Sequence, residues 1–196
     1  MNAFLELMGV ALAALLSENL VLVTCMGTGS RVRSLLQPAD ALRTGGCLTA
    51  VMLLTALFSW MADRFFLSPM GWEHFRLLAF ALLVSAVVEC LRAFAHHCLP
   101  ELSARIDGNL AAITTNGAAL GSALLIAQRS YSLGAALTFA LFGGLGATLA
   151  LASFASLQLE VNLERAPKCF RGGPIKLITA GLMALALVGF YGLHLS

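Results

Sequence analysis

Six stretches of this chain stay apolar for about twenty residues at a time, and no other feature constrains its fold as strongly. A bilayer has a hydrocarbon core about 30 Å thick, which a helix of about 20 residues crosses. The runs are approximately Phe4 to Met26, Gly45 to Ala62, Leu77 to Ala95, Leu110 to Ala127, Leu133 to Leu157 and Ile175 to Leu195. Polar and helix-breaking residues collect between them: Arg31 to Arg43 with Pro38, Asp63 to Arg76 with Pro69, His96 to Asp107 with Pro100, Gln128 to Ser132, and Gln158 to Pro174. The strands of a transmembrane barrel would alternate over about ten residues, whereas these runs are continuously apolar. The expected fold is an all-α integral membrane protein with six transmembrane helices.

Composition excludes the alternatives. Only 11% of the residues are charged and 59% are hydrophobic. A soluble domain carries about 25% charged residues, so this chain lacks the polar groups to cover a water-facing surface. A soluble enzyme and a disordered chain are thereby excluded. The net charge of +2 gives no reason to expect a nucleic-acid partner; the partner it does require is lipid. The first run is not read as a cleaved signal peptide, because no basic segment precedes it and Glu6 and Glu18 punctuate it.

The Lys and Arg census orients the spans. With the N-terminus outside, nine basic residues fall in inner segments (Arg31, Arg33, Arg43, Arg92, Arg105, Arg165, Lys168, Arg171, Lys176) and three in outer ones (Arg64, Arg76, Arg129). This positive-inside bias predicts that both termini face out. Three spans precede His97 and three follow it, so residues 1–97 and 98–196 form two halves of one membrane domain. An odd number of spans per half makes the second copy an inverted repeat of the first. Such repeats place their working site near the midplane, at broken helices. Two clusters fit a break: Glu18-Asn19 followed by Thr24 to Ser30 in span one, and Thr114 to Gly117 followed by Gly121-Ser122 in span four. Small residues also permit close helix packing, which is the alternative explanation for isolated glycines.

Several motifs then resemble one family. Phe170-Arg171-Gly172-Gly173-Pro174 leading into Leu177 to Ala186 is similar to the end of the RnfA/NqrE family, membrane subunits of the Rnf complex and of the sodium-pumping quinone reductase. Ile113 to Gly121 resembles the same family's fourth-span Ile-Thr-Thr-Asn-Cys stretch. Glu18 to Leu22 followed by Gly27 resembles its first-span motif, and Pro69 and Leu78 to Phe80 also fit. The resemblance covers nearly the whole chain. It implies a six-span inverted repeat with spans one and four broken, in the bacterial inner membrane. The implied partners are a sister six-helix subunit of opposite topology (RnfE-like) and flavin and iron-sulfur subunits. It further implies a two-iron two-sulfur cluster held by one Cys from each broken span and two from the sister subunit. The expected positions here are Gly29, two residues after Gly27, and Gly117, directly after Asn116; both lack a thiol. Cys25, one helical turn from Gly29, is the nearest substitute ligand on this chain.

The other reactive groups read as structural. The remaining cysteines, Cys47, Cys90, Cys98 and Cys169, are scattered without a Cys-x-x-Cys pair. Cys47 and Cys90 fit buried packing positions. Adjacent residues at a helix end point apart, so His96-His97-Cys98 reads as an interfacial connector rather than a metal site. Asp63-Arg64 and Glu73-His74 read as outer polar caps, and Glu89 with Arg92 at i+3 as an ion pair. A carboxylate inside a span is a functional candidate. Glu18 therefore either relays a cation or bonds backbone groups freed at the break.

The leading expectation is a non-catalytic membrane subunit of an Rnf-type complex, which couples ferredoxin/NAD electron transfer to sodium or proton translocation. No dinucleotide fingerprint or flavin-attachment motif is present to make the chain a dehydrogenase by itself. The rivals are a small secondary transporter, and a structural or regulatory paralogue that has lost the redox centre.

Overall fold

The computed structural model describes residues 2–17, 38–98, 117–160 and 173–189. Helix α1 (Asn2–Leu12) passes into a π-helical turn (Ala13–Ser17). Then come α2 (Pro38–Ala62), α3 (Arg76–Cys98), α4 (Gly117–Gln128), α5 (Leu133–Glu160) and α6 (Gly173–Val188). Every regular element among the described residues is helical. Three stretches are long and apolar enough to cross a membrane: Ala41–Met70, Arg76–His97 and Leu133–Gln158. The shorter apolar helices Gly117–Gln128 and Pro174–Leu187 fall in expected spans four and six.

Element boundaries depart from the sequence expectation in places. Helix α2 begins at Pro38 and takes in residues assigned to the preceding connector. Proline is tolerated in a first turn, where its missing N–H would have had no helical partner. The connector after α2 is itself helical: a π-helical turn (Asp63–Leu67), a single α-turn (Ser68–Met70) and a 3-10 turn (Glu73–Phe75). In span four, Gly121 and Ser122 lie inside a continuous helix, both buried, and the Ser122 hydroxyl donates to the Ala119 carbonyl at 2.8 Å. These two residues pack; they do not break the span.

The connectors between α2 and α3 and between α4 and α5 contain the same turn. Trp72 N–H donates to the Leu67 carbonyl and Gly71 N–H to the Ser68 carbonyl. Likewise Tyr131 N–H donates to the Ile126 carbonyl and Ser130 N–H to the Ala127 carbonyl. This is the Schellman pattern, which needs a left-handed residue just past the helix. Gly71 fills that position at φ 68° and Ser130 at φ 50°. Ser132 then caps α5, its carbonyl accepting from Ala136 N–H and its hydroxyl from Ala135 N–H.

Helices α2 and α5 form the centre of the main core. Leu48, Val51, Met52 and Ala56 of α2 pack in one cluster with Phe139, Ala140, Ala147, Leu151 and Ala155 of α5. Ala14 of the first π-turn, Val84 and Val88 of α3, and Ala118, Ala119 and Ile126 of α4 join the same cluster. A smaller cluster of Leu67, Phe80, Ala123 and Ala127 lies where α3 and α4 meet the first helical connector.

Candidate functional site

The residues singled out for the midplane fall mostly outside the described ones: Glu18, Cys25, Gly27, Gly29 and Asn116 all do. Gly117 is described. It is the first residue of α4, exposed, and offers only backbone at the position where the resemblance expects a thiolate. The helical segments bordering the two clusters both contribute to the main core. Ala14, four residues before Glu18, and Ala118-Ala119, directly after Gly117, are all fully buried in the main core.

What holds that core together is a close crossing of α2 and α5. A Cβ added at Gly45 would stand 2.5 Å from the Thr148 side chain, and one at Gly144 would stand 2.8 Å from the Thr49 Cα. Only glycine permits either approach. The threonines complete the contact. Thr49 Oγ1 donates to the Gly45 carbonyl at 2.9 Å, Thr148 Oγ1 donates to the Gly144 carbonyl at 2.8 Å, and the two hydroxyls lie 3.4 Å apart. Residue numbers rise along one helix as they fall along the other, so the pair runs antiparallel. Each helix contributes a Gly-x-x-x-Thr pair, and the pairs are 99 residues apart in the chain. The repeated motif is visible in the sequence, but Gly and Thr are too common in membrane helices for it to stand out there.

A second feature lies at one end of the bundle. A cavity of about 630 Å³ is lined by Ser59, Trp60, Asp63 and Arg64 from the end of α2 and its π-turn. Ser68 and Arg76 from the rest of that connector, and residues from Ala123 to Leu133 at the α4–α5 turn, complete the wall. The two connectors therefore share one end of the bundle, joined by a hydrogen bond from Trp60 Nε1 to the Tyr131 carbonyl at 3.0 Å. Asp63 does not act as a simple surface cap. Its carboxylate takes Arg76 Nε at 2.6 Å and Arg76 Nη2 at 3.2 Å. This two-point, largely shielded pairing is the stronger kind of ion pair. Arg129 donates to the Tyr131 hydroxyl at 2.9 Å, with its guanidinium 5.9 Å from the ring centroid. The three basic residues assigned to one side of the membrane thus gather at this end.

Elsewhere, Arg92 pairs with Glu89 at 3.2 Å, as the i+3 spacing predicts. Cys47 is half-buried against the main core, but Cys90 is exposed and so not a buried packing residue. His96 and His97 are exposed on the last turn of α3, and among the described residues no three His, Cys, Asp or Glu side chains gather as a metal site. Cys169 lies outside the described residues, as does the side chain of Cys98.

Comparison with known proteins covers the chain almost end to end. Residues 7–194 match the family model described as Rnf-Nqr subunit, membrane protein. A protein of Syntrophotalea carbinolica, named as the A-type subunit of an ion-translocating oxidoreductase complex, is 36% identical over 96% of this chain and 97% of its own length. A protein of the same name from Thioalkalivibrio sulfidiphilus is 34% identical, over 94% and 96%. Another from Pectobacterium atrosepticum is 35% identical, over 91% and 93%.

Proposed function

The chain belongs to the Rnf-Nqr family of membrane subunits, and from that premise we propose that it is the A-type subunit of an ion-translocating oxidoreductase complex. The observation that carries this reading is the similarity to proteins of that name over more than nine-tenths of both chains. The chain sits in a bacterial cytoplasmic membrane with both termini outside. It pairs there with a sister six-helix subunit, and flavin and iron-sulfur subunits complete the route from ferredoxin to NAD. The chain itself carries no reaction; it builds part of the path along which electron transfer drives sodium or protons across.

Two observations support six spans in an inverted repeat. The α2–α3 and α4–α5 connectors share one end, as alternating spans require. The Gly45/Thr148 and Gly144/Thr49 contacts are reciprocal between residues of equal separation, the pattern a two-fold axis between the halves generates.

The four-thiolate cluster of the family does not fit this chain at position 117, where α4 starts on a glycine. Iron-sulfur iron takes thiolates, and backbone carbonyl oxygen is a poor replacement. We therefore assign the chain a place in the complex without iron ligands of the usual kind. Glu18, which follows the π-helical turn, remains the ion-pathway candidate.

Purification of the tagged chain from its native membrane tests the assembly: flavin and iron-sulfur subunits should accompany it, and their absence would refute the proposal. Within that complex, Gly29→Cys with Gly117→Cys should raise bound iron by about two atoms, given a sister subunit that keeps its own Cys pair. A wild-type cluster signal that disappears in Cys25→Ser would instead make Cys25 a ligand. Glu18→Gln should lower ion translocation while the electron-transfer partners remain bound.

A further inference from the structure

We propose that the cavity between the two connectors binds the phosphate of an anionic phospholipid headgroup, with Arg64 as its cation. The charge on the cavity wall selects an anion. Among the described residues, its charged lining is Asp63, Arg64 and Arg76. Asp63 is already engaged through both carboxylate oxygens by Arg76, so that pair brings no net charge. Arg64 has no ion pair or hydrogen bond among the described residues, and it is exposed into this region. Among the described residues, the wall thus carries one uncommitted positive charge and no uncommitted carboxylate.

The donors around it suit a phosphate. Ser68, Ser130 and Ser132 also line the cavity, and hydroxyls donate readily to phosphate oxygens. Ser130 is held in left-handed backbone geometry at φ 50°, a conformation that a non-glycine residue adopts at some energetic cost. The turn that strains it also puts Ser130 on the cavity wall.

The apolar fringe identifies the phosphate as a lipid's. Between the lining residues Arg64 and Arg76, the connector exposes Phe65, Phe66, Met70, Trp72 and Phe75, each more than half accessible. The Trp72 and Phe75 rings sit 6.1 Å apart. Aromatic residues beside the end of a membrane helix occupy the headgroup level, with acyl chains on one side and water on the other. A phosphate bound at Arg64 would place its acyl chains along this fringe. Small soluble phosphates gain nothing from it.

The test uses the full-length protein in nanodiscs of phosphatidylcholine doped with phosphatidylglycerol, followed by native mass spectrometry of the released protein. Wild type should retain one phosphatidylglycerol in preference to phosphatidylcholine. Arg64→Gln should weaken that retention about five- to tenfold, and Arg64→Lys should restore part of it. Arg92→Gln, the same charge change on α3 in a residue paired with Glu89, should leave it unchanged. Equal retention by wild type and Arg64→Gln overturns the proposal, as does an equal loss in Arg92→Gln, which would reduce the effect to net charge. Displacement of the lipid by an equal concentration of inorganic phosphate would assign the site to free phosphate and overturn the lipid reading. Arg64 is exposed, so an unchanged melting temperature for Arg64→Gln separates lost binding from lost folding.

Discussion

Helices α3 and α5 are both read from the sequence as spans, yet they occupy opposite situations. In the span of α5, 56% of the most apolar window is buried, against 22% for α3, although the α3 window is the more hydrophobic of these two windows. Hydropathy therefore does not say which helix is central. In lipid the surroundings are as apolar as a protein interior, so burying a leucine gains little and close packing decides which helices associate. Helix α5 carries eleven Gly and Ala residues in 28, and α3 five Ala and no Gly in 23. The glycines let the α5 backbone approach α2, and the two threonine hydroxyls, each donating to its own helix, meet across the gap at 3.4 Å. Leu77, Leu78, Leu82 and Phe94 of α3 instead remain exposed, a surface for lipid or for another subunit.

This contrast can be broken by substitution, and the crossing is where the largest effect is expected. Gly144→Leu puts a side chain against the Thr49 backbone, which cannot rotate away, and should destabilise the protein by about 3 kcal/mol. Gly45→Ala meets the Thr148 side chain first, rather than backbone, and should cost less, about 1–2 kcal/mol. Thermal unfolding in detergent would measure both; a Gly144→Leu protein that melts with wild type would remove the crossing from the centre of the fold.

A middle effect is expected at the end of the bundle. The Asp63–Arg76 pair is partly shielded, with about a fifth of each side chain exposed. A double-mutant cycle with Asp63→Ala and Arg76→Ala should return a coupling of about 1 kcal/mol. The same cycle on Glu89 and Arg92, more exposed and one turn apart, should return about 0.3 kcal/mol. Equal values would mean that the cavity end is as solvated as the α3 surface.

Smaller changes sharpen the comparison further. Ser130→Gly relieves a left-handed residue in the Schellman turn and should stabilise by about 0.5–1 kcal/mol. Leu82→Ala on the outer face of α3 should shift the stability of the isolated chain by less than about 0.5 kcal/mol. A much larger loss there would show α3 packed against a second copy in the detergent particle, and the protein's size on a column would report it.

How far the sequence could be read follows from the same physics. The charged connectors and the apolar lengths marked α3 and α5 to within three residues at each end, because a hydrocarbon slab sets a length that composition must obey. The error at Pro38 arose because proline ends a helix when internal but starts one when first. The Gly121-Ser122 cluster was ambiguous in sequence, since small residues serve both broken helices and tight packing, and its burial in α4 decides for packing. Of the two ion pairs, Glu89–Arg92 was legible because a spacing of three on a helix fixes the geometry. Asp63–Arg76 was not, since thirteen residues of turn separate the partners.

The sequence by itself determined the solvent, the all-helical class and the family, because each depends on local composition or on motifs in order along the chain. It also determined that residues 29 and 117 are glycines, which no fold can turn into ligands. Only the tertiary structure decided that α2 and α5 lie at the centre and α3 toward the outside, that Asp63 is held by Arg76, and that two connectors enclose one cavity. These depend on distances between helices far apart in the chain, and in a uniformly apolar setting steric fit selects among arrangements that hydropathy leaves equal.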